Sequence, residues 1–299
     1  MESIQLTKEY IATLLNVRSE NSHKGMYGHA LLIAGNQCKM GAAVIAGKAC
    51  LRSGVGLLTI NVPYEERLIV QTAIPEAMLQ LREESITDFS RFSAIGIGPG
   101  LGISEKEEKL LGHILSVYKE PIVFDADALT VFSNKPYFLM DVPVESIFTP
   151  HPKEFDRLFG EHKDQDARKL TAITKAKEYR IIIVLKGHET FITNGEESFI
   201  NTTGNAGLAK GGSGDALTGM ITAFLAQRYH PFTAAKLGVY LHGLAADIAV
   251  EKQSEESLLI SDVIEALGEA FRRITNPAER RVTNTAERRS EEGDKRNII

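Results

Sequence analysis

Long apolar runs are missing from this chain: no stretch reaches the roughly 18 consecutive apolar residues that a bilayer-spanning helix needs,. A basic excess is missing too. With 34 lysines and arginines against 39 acidic residues, the net charge is −5, which gives no electrostatic case for nucleic acid or an anionic lipid surface. Cysteine is scarce. Cys38 and Cys50 have no metal-ligand spacing and no third or fourth partner, so they read as two buried thiols in a reducing compartment. The first residues, MESIQLTKEYIATLLNV, carry charges where a secretory leader would be apolar,. Together these absences predict a cytoplasmic protein that binds neither nucleic acid nor membrane.

What is present is an alternation. HALLIAG (29–35), GLLTINVP (56–63), FSAIGIGPG (92–100), PIVFDAD (121–127), ESIFTP (145–150) and RIIIVLKG (180–187) are short apolar runs that mostly end at Gly, Asp or Pro. Between them lie helix-length stretches: the small-residue segment 41–54, then 104–118, 152–160 and 164–179. Continuous apolar strands separated by helices predict an α/β fold, a mostly parallel sheet with helices on both faces. ETFITNGEESFIN (189–201), folded about Asn194-Gly195, reads as a β-hairpin,. Helices follow near 213–228, 231–251 and 260–275. The last 24 residues hold eleven charges and the imperfect repeat TNPAERR/TNTAERR. The expectation is therefore one domain over 1–275 and a charged tail over 276–299, mobile or a frayed helix.

In a parallel sheet, ligands bind beyond the carboxyl ends of the strands. Gly35-Asn36, Gly98-Pro99-Gly100, Asp125–Asp127, Thr149–His151 and Lys186-Gly187 all fall at such ends and are expected to line one crevice. The densest glycines, GNAGLAKGGSGDALTGM (204–220), look built for phosphate, yet they lack the second glycine and the hydroxyl of a P-loop,. GIGPGLG (96–102) has the wrong spacing for a dinucleotide fingerprint,. What remains is Gly211-Gly212-Ser213-Gly214-Asp215 opening an apolar helix. Free amides at a helix start favour developing negative charge. Asp215 is then either a capping acid or a base that takes a proton from a hydroxyl while those amides hold the phosphoryl group.

The glycine segment resembles the GxGD anion hole of ribokinase-like small-molecule kinases. HKGMYGHALLIAG (23–35), MGAAVIAGKACLRSGVGLLT (40–59), PEAM (75–78), IGPGLG (97–102), DADAL (125–129), TPHPKEF (149–155) and LKGHET (185–190) narrow the likeness further. In order and spacing they are similar to the ADP/ATP-dependent NAD(P)H-hydrate dehydratases, over about residues 20–270. The resemblance implies a ribokinase-like fold and the repair of hydrated NADH and NADPH. The nucleotide's terminal phosphoryl group activates the hydrate hydroxyl, and phosphate then leaves. It implies ADP in preference to ATP, and Mg²⁺ held mostly by phosphates and water, with protein ligands that the sequence does not name. It also implies a homo-oligomer, as a tetramer. At this length a fused epimerase domain has no room, so a separate epimerase is the expected pathway partner.

Carried over by position, Asp215 is the implied base, with Gly211, Gly212, Ser213 and Gly214 as the anion hole. Ala43, Gly100 and His151 match hydrate-contacting positions. Lys186, Gly187, His188, Glu189 and Thr190 match the adenine-nucleotide segment, with Gly214 at its phosphate end. One departure is Lys153, where the family commonly has glycine; it implies either a changed loop or a surface variation. Read alone, His151 is more often a hydrogen-bonded structural histidine, Asp125 and Asp127 turn residues, and Lys186 a surface lysine at a strand end. His242 in VYLHGLAAD reads as packing, while Lys48 and Arg52 face either a phosphate or solvent. Two other functions stay open on the residues: an ATP-dependent kinase of a small alcohol, and a nucleotide-binding protein without catalysis.

Overall fold

Every run expected as a strand joins one ten-stranded sheet in the computed structural model, which describes residues 3–84 and 88–275. In chain order the strands are β1 (Ile4–Gln5), β2 (His29–Ile33), β3 (Leu57–Val62), β4 (Met78–Leu81), β5 (Ala94–Ile97), β6 (Ile122–Phe124), β7 (Ile147–Phe148), β8 (Ile182–Leu185), β9 (Thr190–Thr193) and β10 (Ser198–Asn201). Across the sheet they run β1-β10-β9-β8-β7-β6-β5-β2-β3-β4. All neighbours are parallel except β9, which is antiparallel to both β8 and β10. Order reverses between β5 and β2, the switch point of the sheet,. The topology is ribokinase-like.

Side chains along the strands alternate between two cores, as the pleat demands. Leu31 and Ile33, Ile122 and Phe124, Ile183 and Leu185 face one core. Ala30 and Leu32, Val123, Ile182 and Val184 face the other. The first core is covered by α4 (Glu105–Val117), α5 (Ala126–Asn134), α6 (Pro152–Phe159) and α7 (Gln165–Tyr179). The second is covered by α1 (Lys8–Leu14), α2 (Met40–Arg52), α3 (Arg67–Ala73), α8 (Ser213–Ala226), α9 (Pro231–Ala249) and α10 (Ile260–Ile274). Small residues let α2 and α8 lie almost in contact: a Cβ on Gly219 would come within 2.0 Å of the Ala46 carbonyl oxygen. Any side chain there would force the two helices apart.

Elements β1, β4, α1, α3 and α5 were not foreseen. β1 has two residues and β4, MLQL, is a half-buried edge strand, so neither gives a continuous apolar run. Cys50 is buried as expected, but Cys38 is exposed in the loop after β2, so the expectation of two buried thiols fails there. The expected tail over 276–299 lies outside the described residues. No helix among the described residues is long and apolar enough to cross a membrane.

Candidate active site

The sheet delivers Asp125 from the end of β6 and Lys186 from the end of β8, and α8 begins directly above them. Lys186 Nζ lies 2.7 Å from Asp125 Oδ1, and the Thr218 hydroxyl donates to Asp125 Oδ2 at 2.9 Å. Glu154 Oε2, on α6, is 3.9 Å from the same ammonium. Burial opposes the charge on each partner. For Asp125 it is outweighed by Lys186 and by hydrogen bonds from Lys186, Thr149 and Thr218, which hold the carboxyl below its usual range. Burial of Lys186 is likewise outweighed by Asp125, Glu154 and Asp215, which hold its pKa above the usual value. Lys186 is thus no surface lysine, and Asp125 caps no backbone.

Helix α8 starts at Gly212, whose φ of +95° glycine alone adopts without strain,. Its first regular bond runs from the Ala216 N–H to the Gly212 carbonyl, 2.9 Å. Ser213 N–H reaches Lys210 O only at 3.4 Å, so the amides at this end point outward, as helix starts do. Gly214 leaves room for the ion pair: a Cβ there would sit 3.1 Å from Lys186 Nζ and 3.3 Å from Asp125 Oδ2. Asp215 follows. It lies in the first turn of the helix, where the free amides and the dipole favour a carboxylate, so the position suits a first-turn acid and a base alike. Burial raises its pKa most and Asp125 raises it further; Lys186 pulls it down, Asp127 pushes it up, and the result is about 6.

Beside this helix end lies a cavity of about 620 Å³ between the loop after β8, the segment after β10, and helices α8 and α9. Lys186, Gly187, His188 and Thr190 line it, with His151, Ser213 and Gly214. Of the expected nucleotide segment only Glu189, an exposed residue, stays off the wall. The segment 203–209 forms another wall and is pinned by Asp247 of α9. That carboxylate accepts from Gly204 N–H (2.9 Å) and from Asn205 Nδ2 (3.0 Å). Gly243 of α9 faces Thr203 so closely that an added Cβ would meet its hydroxyl at 2.3 Å.

Of the expected substrate contacts, His151 lines this cavity and Gly100 and Ala43 do not. Gly100, with φ +59°, lies against Lys39 and Ala42. Lys39 Nζ reaches Asp127 Oδ2 at 3.2 Å, and the same oxygen accepts the Gly102 N–H at 2.7 Å. Ala43 is fully buried, against Gly35 and Met40, and presents no surface. His151 is the N-cap of α6: its Nδ1 accepts from Lys153 N–H (3.1 Å) and Glu154 N–H (3.3 Å). It therefore has a structural task and a place on the cavity wall. Burial lowers its pKa first and Lys186 adds to that, against the pull of Glu154 and Asp125. Lys153 stands second in α6 and is exposed, which fits the surface-variation reading. Lys48 is exposed, and Arg52 pairs with Glu265 at 2.8 Å; neither reaches the site. His242, expected as packing, lines the cavity instead.

The family model Carb_kinase, described as NAD(P)H-hydrate dehydratase, matches residues 30–268. The ADP-dependent (S)-NAD(P)H-hydrate dehydratase of Bacillus subtilis is 35% identical over 281 residues, covering 89% of this chain and 97% of that protein. The bifunctional NAD(P)H-hydrate repair enzyme Nnr of Vibrio cholerae is 37% identical over 265 residues, 86% of this chain. This chain spans about half (52%) of that bifunctional relative. Among solved structures, the ADP/ATP-dependent NAD(P)H-hydrate dehydratase from Bacillus subtilis, crystallised with ATP and Mg²⁺, superposes with a TM-score of 0.83 at 33% identity. That match covers 92% of this chain and all (100%) of the other.

Proposed function

The chain belongs to the NAD(P)H-hydrate dehydratase family, and we propose that it uses a nucleotide, ADP before ATP, to dehydrate (6S)-NAD(P)H hydrate back to NAD(P)H. The observation that carries this reading is the placement of Asp215. It is a first-turn carboxylate beside outward amides, directly after Gly214 on the cavity wall, with Asp125, Lys186 and Asp127 close enough to shift its proton affinity. A pKa of about 6 leaves it ionised by about ten to one at pH 7, able to accept a proton and close to the optimum for a base.

In this mechanism the hydrate hydroxyl gives its proton to Asp215 as its oxygen attacks the terminal phosphoryl group. The bond from phosphorus to the nucleotide's bridging oxygen breaks, so that ADP becomes AMP. The amides of Gly211–Gly214 hold the charge on the phosphoryl oxygens in flight. The phosphorylated hydrate then loses phosphate as the neighbouring ring carbon gives up a proton, which restores the double bond. The sum is hydrate plus ADP to NAD(P)H, AMP and phosphate. Lys186 keeps the approach to Gly214 from being wholly negative, and Lys186, Gly187, His188 and Thr190 form the nucleotide wall.

Magnesium does not fit as a resident ion. Among the described residues no three His, Cys, Asp or Glu side chains group to hold one. Asp125 is occupied by Lys186 and Thr218, Asp127 by Gly102 and Lys39. A cation belongs to this reading only as part of the nucleotide substrate, and no step passes through it. The reading includes a hydrate epimerase as pathway partner, the cytoplasm as location and a homotetramer as assembly. Its test is recovery of the reduced-nicotinamide absorbance from hydrated NADH or NADPH with ADP or ATP. Folded protein that restores none with either nucleotide refutes it, and a stable phosphorylated product would make it a kinase.

A further inference from the structure

Among the described residues, one buried polar side chain of the cavity is left without a partner. At the end formed by β10, the segment 203–209 and α9, the other polar groups are satisfied within the protein. Asn201 Nδ2 donates to Thr203 O (3.0 Å), and the Thr203 hydroxyl is bonded to Asn201 Oδ1 (3.0 Å) and Tyr240 O (3.0 Å). Asn205 donates to Asp247 (3.0 Å) and accepts from Gly207 N–H (3.1 Å). His242, 7% exposed and on the cavity wall, makes no hydrogen bond. Its Nε2 is sealed and unpaired, which leaves Nδ1 as the nitrogen on the cavity side.

We propose that His242 is a nucleoside-contacting residue, its Nδ1–H donated to an acceptor atom on the base or ribose of the adenine nucleotide. The inference rests on the nucleotide binding proposed above. A sealed lone pair is tolerated better than a sealed N–H, so the neutral ring keeps its proton on Nδ1, facing the cavity. Burial, with Lys186 adding to it, pushes the His242 pKa down to about 4; the ring is neutral throughout the working range and suits an uncharged part of the ligand. The phosphates belong at the other end, beside Ser213 and Gly214. An imidazole kept for packing alone has no reason to leave both nitrogens unbonded, since an apolar side chain fills the same space without that penalty.

The experiment is calorimetric titration of ADP and of ATP into the wild type, His242→Leu and His242→Asn, with thermal midpoints measured before and after nucleotide. His242→Leu is expected to bind about tenfold more weakly, the effect of one lost neutral hydrogen bond, while its nucleotide-free midpoint stays equal or rises. Asn carries its amide where Nδ1 stood, so His242→Asn is expected to bind within about threefold of wild type. In ¹⁵N-histidine-labelled wild type, saturating ADP is expected to move the Nδ1 resonance of His242. Wild-type affinity in His242→Leu, an Asn variant as weak as the Leu variant, or an unmoved Nδ1 signal overturns the proposal. Wild-type protein that binds neither nucleotide removes the function reading itself, and this inference with it.

Discussion

Replacing Asp215 by Asn should make the protein more stable as it makes it inactive, and the gain should depend on pH. The unfolded aspartate titrates at its ordinary 3.8, the folded one at about 6, chiefly through burial and the charge of Asp125. The native state therefore holds this proton more tightly than the unfolded chain. Below pH 3.8 both states are protonated and charge at the site costs nothing. Between 3.8 and 6 the unfolded chain releases its proton while the native state keeps it, so stability falls; above 6 the loss is complete,. The displacement corresponds to ~3 kcal/mol. A neutral amide of the same shape escapes that cost, so Asp215→Asn should gain ~3 kcal/mol at pH 7.5 and under about 1 kcal/mol at pH 4. In a chain of this size that is a rise of roughly 6 °C in thermal midpoint at the higher pH. Turnover should fall by about 10²–10⁴, the usual contribution of a general base. Midpoints of both proteins at the two pH values test the argument. An equal gap at both, or an Asn variant less stable at pH 7.5, refutes the account of Asp215 as a carboxylate strained by burial.

Asp125→Asn removes a negative neighbour of Asp215 and frees Lys186 to pull on it, so both effects lower the Asp215 pKa. The acid limb of the kcat/KM profile should move below pH 6, and an unmoved limb counts against the coupling. Lys153→Gly replaces an exposed residue in the first turn of α6. It should cost about 1 kcal/mol or less in urea unfolding and leave the rate within about twofold; a larger loss of rate would give Lys153 a part in the site.

The strands other than β1 and β4 were legible because they are short apolar runs closed by turn residues, and the expectation of a site at their carboxyl ends followed. Asp215 and the glycines before it were legible for the same local reason: a helix start with no side chains leaves amides open. The Lys186–Asp125 pair was not, because it joins residues 61 apart in sequence, and each alone has a commoner reading. His242 was missed for a different cause. Its neighbours in α9 are almost all buried, so periodicity makes it core, and only the packing of Gly243 on Thr203 brings that face of the helix to a cavity. The segment 203–209 fell between those cases: its glycines and Asn205 were visible, but the Asp247 that holds it lies 42 residues beyond Asn205.

The pairing of Lys186 also explains why the carboxyl of Asp215, the proposed base, keeps its proton up to about pH 6. A single ammonium serves three nearby carboxylates, and its position decides which of them stays strongly acidic. Bound at 2.7 Å to Asp125, Lys186 helps hold the Asp125 carboxyl below its usual range and exerts a smaller effect on Asp215 than burial and Asp125 do. Were Asp125 absent, the same ammonium would turn to Asp215, and a salt-bridged aspartate is too weak a base to take a proton from an alcohol. Asp125 thus acts twice on its neighbour: its own charge raises the proton affinity of Asp215, and its bond to Lys186 withholds the cation that would lower it. Gly214 makes this possible by letting the chain pass directly over the pair, so that the amides, the base and the buried ion pair come together at one helix start.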